Sequence, residues 1–292
     1  MKATTDCIYC YLKQSLNCMR KAGYPEEAQP DVLYQIMDII RNFSMEETPC
    51  YNSTISLLKT YELMGNNDPF LEEKMSSNEN ARHILDGFME HHAGEHPGLH
   101  WHLKLCAAGN IIDTGIVLDY DIEKTIEDTM QRGFAIDHYE SFCEDLEDAE
   151  SILYLADNCG EIVFDAPVIE FLSQKGKNVF VAVKSRPILN DALYEDAVFA
   201  GINDHATIVE TGSGFLGVNP DDSSSEFMNL LNTCDIIISK GQANFESLSD
   251  YRKASGNIYF ILKIKCDRVA DVITGSHFGD SVFVKAGKGI IK

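Results

Sequence analysis

From Ser151 onward the chain repeats one pattern: a short apolar run rich in β-branched and aromatic residues, a polar turn, then an amphipathic stretch. The runs are SILYLA, NVFVAVK, ATIVE, DIIIS, NIYFILKIK and SVFVK. The clearest helices between them are EIVFDAPVIEFLSQKG, DALYEDAVFAG and SSSEFMNLLNTC. Strands that are apolar on both faces must be covered on both faces, so the alternation demands a parallel sheet with helices above and below it. The expected fold class is α/β, a doubly wound Rossmann-like α/β/α domain over residues 149–292.

Residues 1–148 lack that alternation and read as an all-helical N-terminal domain. TDCIYCYLKQSLNCMRKAGY repeats Cys7, Cys10, Gln14 and Cys18 at helical spacing, and PDVLYQIMDIIRNF opens with Pro30 and Asp31, where a helix tolerates proline and favours an acid. The whole chain carries 24 Lys+Arg against 46 Asp+Glu, a net charge of −22. Residues 1–148 hold 11 basic and 27 acidic residues, and residues 149–292 hold 13 and 19. Such a balance argues against nucleic acid, whose backbone is bound by Lys and Arg with release of counterions. No stretch approaches the roughly 18 apolar residues of a membrane span, and MKATTDCIYC lacks the apolar run of a signal peptide. Nine cysteines, an odd number in a chain too long to need staples, read as reduced thiols. The expectation is a cytoplasmic protein with no nucleic-acid or membrane partner; its oligomeric state is left open.

Ligands of open α/β sheets bind beyond the carboxyl ends of the strands, so the residues there are the candidate site. Asp157-Asn158-Cys159-Gly160-Glu161 follows the first run, and Lys184 leads through Pro187 to Asn190-Asp191 after the second. Lys240-Gly241-Gln242-Ala243-Asn244-Phe245-Glu246 follows DIIIS, and Lys263 and Lys265 end the NIYFILKIK run. Carboxylate and amide oxygens are hard ligands suited to Mg²⁺ or Mn²⁺, and lysines supply the positive charge that phosphate oxygens need. Asp157 and Asn158 equally suit the capping of the helix that starts near Glu161.

DNCGEIVFD (157–165), PILNDA (187–192), KGQANFESL (240–248) and LKIKC (262–266) resemble signatures of the metal-dependent damage-control phosphatases, a family long catalogued as a domain of unknown function and related to acidic-residue methyltransferase-like proteins. CIYCYLKQ (7–14) and GNIIDTG (109–115) look like its short prokaryotic branch. The resemblance implies a divalent cation, Mg²⁺ or Mn²⁺ with Co²⁺ or Ni²⁺ as substitutes, held by Asp157, Asn158 and Asp191. It further implies that Lys265 meets the substrate phosphate, that Lys240, Gly241 and Asn244 line the pocket, and that Asn110 and Asp113 approach from the helical side. The implied activity is hydrolysis of small phosphorylated metabolites such as sugar phosphates or damaged by-products. Water oriented by the metal is favoured as nucleophile over an aspartyl-phosphate at Asp157, because the residue two positions on is Cys159 and not a second acid; Glu161 or Asp191 would accept the proton.

Other patterns compete less well. Gly212-Ser213-Gly214-Phe215-Leu216-Gly217 matches G-x-G-x-x-G and Glu210 precedes it, which keeps a methyltransferase using S-adenosylmethionine as an alternative. The loop follows the third run, however, and Asn219-Pro220 interrupts before the next helix. A non-catalytic binder of metal or phosphometabolite is the third alternative. His92-Ala93-Gly94-Glu95-His96 matches H-x-x-E-H, but Gly94, Pro97 and Gly98 favour a polar loop containing His91, His92, His96, His100 and His102. Cys7-x-x-Cys10 has no second pair to complete a zinc site, so both thiols are expected as buried small hydrophobes. Asp119-x-Asp121-x-Glu123 lacks the glycine of a calcium loop, and Glu144 to Asp148 read as a solvated acidic boundary.

Overall fold

The computed structural model describes residues 1–92, 98–110, 122–252 and 257–287. The strands are β1 (Ile136–Asp137), β2 (Ser151–Leu155), β3 (Asn178–Val183), β4 (Thr207–Glu210), β5 (Ile236–Lys240), β6 (Asn257–Lys263) and β7 (Ser281–Lys285). They form one sheet in the order β1-β7-β6-β5-β2-β3-β4. Neighbours from β4 to β6 pair in parallel, β7 runs antiparallel to β6, and β1 pairs in parallel with β7. The apolar runs therefore became strands as their composition demanded, in a mixed α/β fold with helices on both faces.

Alternation along the strands divides the interior in two. Ile152, Tyr154, Val181, Ile238, Tyr259 and Phe283 enter one core, whereas Leu153, Leu155, Ile237, Phe260, Val282 and Val284 enter the other. Helices α1 (Thr5–Lys21), α2 (Gln29–Ile40) and α3 (Pro49–Met64) build a separate cluster around Tyr11, Met19, Val32 and Ile36. A smaller one joins Cys18, Leu57 and Tyr61 to Ile188 and Leu216 of the α/β part. Helices α4 (Leu71–His91), α5 (Leu99–Ala108), α6 (Ile122–Arg132), α7 (Tyr139–Asp148), α8 (Glu161–Gln174) and α9 (Tyr194–Phe199) contribute Phe88, Leu103, Ile126, Phe142, Phe164 and Ala197 to the first core. The second core is closed by Phe227, Phe245 and Val269 of α10 (Ser225–Thr233), α11 (Gln242–Leu248) and α12 (Asp267–Val272).

Several details depart from the sequence expectation. The segment before residue 149 is not wholly helical: β1 joins the sheet edge, with Ala135 and His138 donating backbone hydrogen bonds to Ser281 and Phe283. Two residues are too few to show a period, so no signal marked it. His91 is the last residue of α4, and His100 and His102 lie inside α5, so the expected polar histidine loop gives way to helix at those positions. Within the H-x-x-E-H match, His92 is the C-cap of α4, and residues 93–96, with Glu95 and His96, fall outside the described residues, as do Asp119 and Asp121. The acidic run 144–148 is the end of α7, and Asp145 within it accepts hydrogen bonds from the Tyr259 hydroxyl and the Lys285 ammonium. Among the described residues no helix is long and apolar enough to cross a membrane.

Phe283 packs against Phe134, Phe142 and Tyr259 at ring-centroid distances of 5.7, 5.4 and 5.5 Å and is wholly buried. Phe283→Ala is expected to lower stability by about 3–5 kcal/mol, read from the midpoint of urea unfolding.

Candidate functional site

Beyond β2 and β3 the two chain segments go on pairing. The Ala156 N–H donates to Ala182 O at 3.1 Å, the Ala192 N–H to Asp157 O at 2.9 Å and the Cys159 N–H to Asn190 O at 2.9 Å. Asn158 and Asp191 thereby face each other in an isolated antiparallel bridge. Asn158 also donates its amide to Asp157 Oδ2 at 3.3 Å, and Asp157, Asn158 and Asp191 all line one cleft. The Gly160 N–H donates to Asn78 Oδ1 at 2.6 Å, and Asn78 in turn donates to Asp196 Oδ1 at 2.6 Å, which ties the loop after β2 and the start of α9 to α4. Leu189 lies in the left-handed region (φ 46), a conformation costing on the order of 1–3 kcal/mol for such a side chain. Its N–H donates to the Tyr61 hydroxyl of α3 at 2.8 Å.

Two further contacts shape the trio. Lys184 at the end of β3 is buried 3.8 Å from Asp191 Oδ2, and burial lowers its pKa against the pull of Asp191 and Asp157. Gly241, at φ 81 between β5 and α11, lies directly against the Asp157 carboxylate: a Cβ there would fall 2.0 Å from Oδ2. Only a residue without a side chain allows both the conformation and the approach.

The trio opens into a cleft of about 320 Å³. Lys265, Cys266 and Arg268 form one wall, Gln242 and Glu246 of α11 another, and Cys7, Cys10 and Gln14 of α1 with Cys50 and Ser53 of α3 close the helical side. Arg268, Gln14 and Ser53 were not among the sequence candidates; Gln242 and Glu246 lay in the segment after DIIIS without a role of their own, and they stand at i and i+4, a spacing that puts both on one face. Cys7 and Cys10 were expected to be buried; Cys7 is, but Cys10 is exposed, because α1 lies at the mouth of the cleft.

The other sequence candidates lie behind this wall. Lys240 is wholly buried, with Nζ 2.6 Å from Asp165 Oδ1 and 2.7 Å from Glu161 Oε1, and Asn110 donates to Glu161 Oε2 at 3.0 Å. Burial alone would lower the Lys240 pKa, but Asp165 and Glu161 reverse it and hold the ammonium well above its usual range. Two carboxylates share that one cation, so burial still raises Asp165 to about 6. Asn244 donates to the carbonyls of Ala156 and Lys240 at 3.1 and 2.9 Å, which clamps the end of β2 to the end of β5. Lys240, Glu161, Asn110 and Asn244 thus brace the strand ends from within, while Asp113 lies outside the described residues.

Residues 3–278 match the damage-control phosphatase ARMT1-like domain. The chain belongs to that family. It is 34% identical to an uncharacterized protein of Methanocaldococcus jannaschii over 292 residues, covering 98% of this chain and 96% of that one. It is 32% identical to a protein of Pyrococcus horikoshii named damage-control phosphatase, covering 92% and 93%. A protein of the same name from Archaeoglobus fulgidus is 30% identical, covering 86% and 89%. The fold superposes on the crystal structure of a DUF89 family protein from Pyrococcus horikoshii with a TM-score of 0.90, at 31% identity, covering 98% of this chain and 99% of that one. The names of these relatives support phosphatase activity in general.

The donor chemistry of this damage-control phosphatase domain fits a hard cation. Among the described residues no three His, Cys, Asp or Glu side chains are grouped to hold a metal; the trio lining the cleft consists instead of two carboxylates and an amide. An all-oxygen set suits Mg²⁺ or Mn²⁺ and disfavours a thiolate or imidazole site. The G-x-G-x-x-G loop packs against α11, where a Cβ on Gly217 would fall 2.4 Å from Ala243 O, so packing accounts for that glycine without a cofactor.

Two outcomes follow from this geometry. Gly241→Ala is expected to displace the Asp157 carboxylate and to lower phosphatase activity at least about tenfold, with stability reduced by about 1–3 kcal/mol, measured by initial rates and thermal unfolding. Glu246 is raised by burial from 4.5 to about 7, against the Gln242 hydrogen bond and the amino terminus. The folded protein therefore binds this proton more tightly than the unfolded chain, and stability from Glu246 is lost as pH rises from about 4.5 to about 7. The stability of Glu246→Gln relative to the unsubstituted protein is expected to improve across that window in urea titrations at several pH values.

Proposed function

We propose that this chain is a cytoplasmic, divalent-metal-dependent phosphatase that hydrolyses small phosphorylated metabolites. The observation that supports the reading is that Asp157, Asn158 and Asp191, on two loops bridged through their backbones, line the same cleft as Lys265. Phosphate esters are dianions, and a chain of net charge −22 can accept one only where positive charge is gathered locally, as at Lys265 and Arg268.

Asp157, Asn158 and Asp191 would hold the cation, Mg²⁺ or Mn²⁺ with Co²⁺ or Ni²⁺ as substitutes; when bound it polarises a phosphoryl oxygen and offsets its charge. Lys265 is assigned to the remaining phosphoryl oxygens, where an ammonium is a compact donor of positive charge. Gly241 holds the Asp157 carboxylate in place by its missing side chain. The nucleophile is water, since Asp157 is occupied as a ligand and Cys159 stands where a second acid would be. Asp191 accepts the proton from that water; Glu161 is the poorer candidate because Lys240 and Asn110 already bond both its oxygens behind the cleft. The volume of the cleft, about 320 Å³, suits a small metabolite and not a polymer.

Removing divalent ions with a chelator is expected to abolish hydrolysis of a phosphometabolite panel, and Mg²⁺ or Mn²⁺ to restore it. Asp157→Ala is expected to lower kcat/KM at least about 100-fold, equivalent to about 2.7 kcal/mol of transition-state stabilisation, with the fold intact by circular dichroism. Activity that persists in metal-free buffer, or in Asp157→Ala, removes the reading.

A further inference from the structure

We propose that Glu246 is the general acid of this phosphatase, giving its carboxyl proton to the alcohol oxygen that leaves when the ester is cleaved. The assignment rests on the phosphatase reading above and names the group that handles the leaving alcohol.

Three carboxyl side chains reach the described wall of the cleft: Asp157, Asp191 and Glu246. The first two are assigned to the cation, and Glu161 and Asp165 are bonded to Lys240 behind it. Glu246 sits one turn into α11, the helix that begins immediately after Gly241, whose α-carbon touches Asp157. Gln242 connects the carboxyl to the phosphate-binding wall. Its Nε2 donates to Glu246 Oε1 at 2.9 Å, and its Oε1 accepts the Lys265 N–H at 3.0 Å. A carboxyl so placed faces the same enclosed space as the cation ligands and Lys265, on a separate element.

The chemistry asks for such a group. An alkoxide is a poor leaving group, and a carboxyl can protonate it only if it still holds its proton near neutrality. Burial, the largest influence, raises Glu246 to about 7, with Gln242 and the amino terminus pulling the other way. Among the described residues, the titratable groups that influence it are Cys10 and Tyr11 of α1, Cys50 of α3, Cys266 before α12 and the amino terminus, and Cys7, Asp157, Asp191, Lys265 and Arg268 line the same cleft. Burial raises the Cys50 thiol to about 12 and lifts Cys266 and the Tyr11 phenol, and partial desolvation lifts Cys10 at the mouth of the cleft, so all four stay neutral through the range in which Glu246 titrates. In the step itself the water oxygen forms the new bond to phosphorus and the ester P–O bond breaks. The alcohol departs with the Glu246 proton, the proton of the water passes through Asp191 to solvent, and Glu246 recovers one from solvent. The sum is ester plus water giving alcohol plus hydrogen phosphate.

The test compares glycerol 1-phosphate, whose leaving group needs a proton, with p-nitrophenyl phosphate, whose leaving group does not. Both are assayed with Mg²⁺ or Mn²⁺ in the unsubstituted protein and in E246Q. The expected result is a kcat loss at least about 100-fold larger for the alkyl ester than for the aryl ester. In the unsubstituted protein, kcat for the alkyl ester should fall about tenfold per pH unit above about pH 7, without that limb for the aryl ester. This second measurement decides the matter even if E246Q folds poorly. Equal losses on both esters, or no alkyl-specific limb, overturn the assignment while leaving the phosphatase reading standing. An unsubstituted protein inert toward every ester overturns that reading and this assignment with it.

Discussion

The cleft depends on two loops that keep pairing after their strands have ended. In a parallel sheet, neighbouring strands deliver their last residues side by side but do nothing to hold the loops beyond. Here the Asn158–Asp191 bridge, flanked by the Ala192–Asp157 and Cys159–Asn190 hydrogen bonds, extends order past β2 and β3. That extension brings two carboxylates and an amide, Asp157, Asp191 and Asn158, into the lining of one cleft, a proximity that like charges oppose. Lys184 beside Asp191 and the bare α-carbon of Gly241 against Asp157 make the crowding tolerable.

Behind the bridge, charge is buried in a way that stiffens the site. Lys240 joins β5 to α8 through Glu161 and Asp165, and Asn244 joins β5 to β2 through backbone carbonyls. Ion pairs so deeply buried contribute little net stability, because desolvation offsets their attraction. They do penalise any displacement of one partner, since a lone buried charge is far costlier than a paired one. The strand ends therefore hold their relative positions, and only the side chains that line the opening are left to meet a ligand.

How much of this was visible in the sequence varied with the length of the signal. Six of the strands were marked by near-continuous apolar runs, and the Asp157, Asn158 and Asp191 positions by polar clusters at the ends of two of them. β1 is two residues long and could not announce itself, and the antiparallel direction of β7 depends on a short connection through α12 that composition does not reveal. Lys240 and Glu161 were placed on the correct strand end and helix start, but which way each points is decided by packing. Lys240 alternates to the α8 side of the sheet and meets Asp165, four residues beyond Glu161 on the same helical face. Glu246 was placed after the β5 run but given no role, because a glutamate in a helix is ordinarily exposed and only packing over α11 buries it. Cys10 was misjudged for the reverse reason, since its helical face ends at an opening and not at a core.

One helix answers for both loops on the far side of the cleft. Tyr61 holds Leu189, and two turns earlier on α3 Thr54 accepts the Leu216 N–H at 3.0 Å. These hydroxyls bind backbone, so they constrain where α3 sits without caring which side chains the loops carry. A chimera that kept this α/β framework under a borrowed helical cap would have to reproduce both hydroxyls at the same separation, or its loops would lose their moorings however well the apolar surfaces matched.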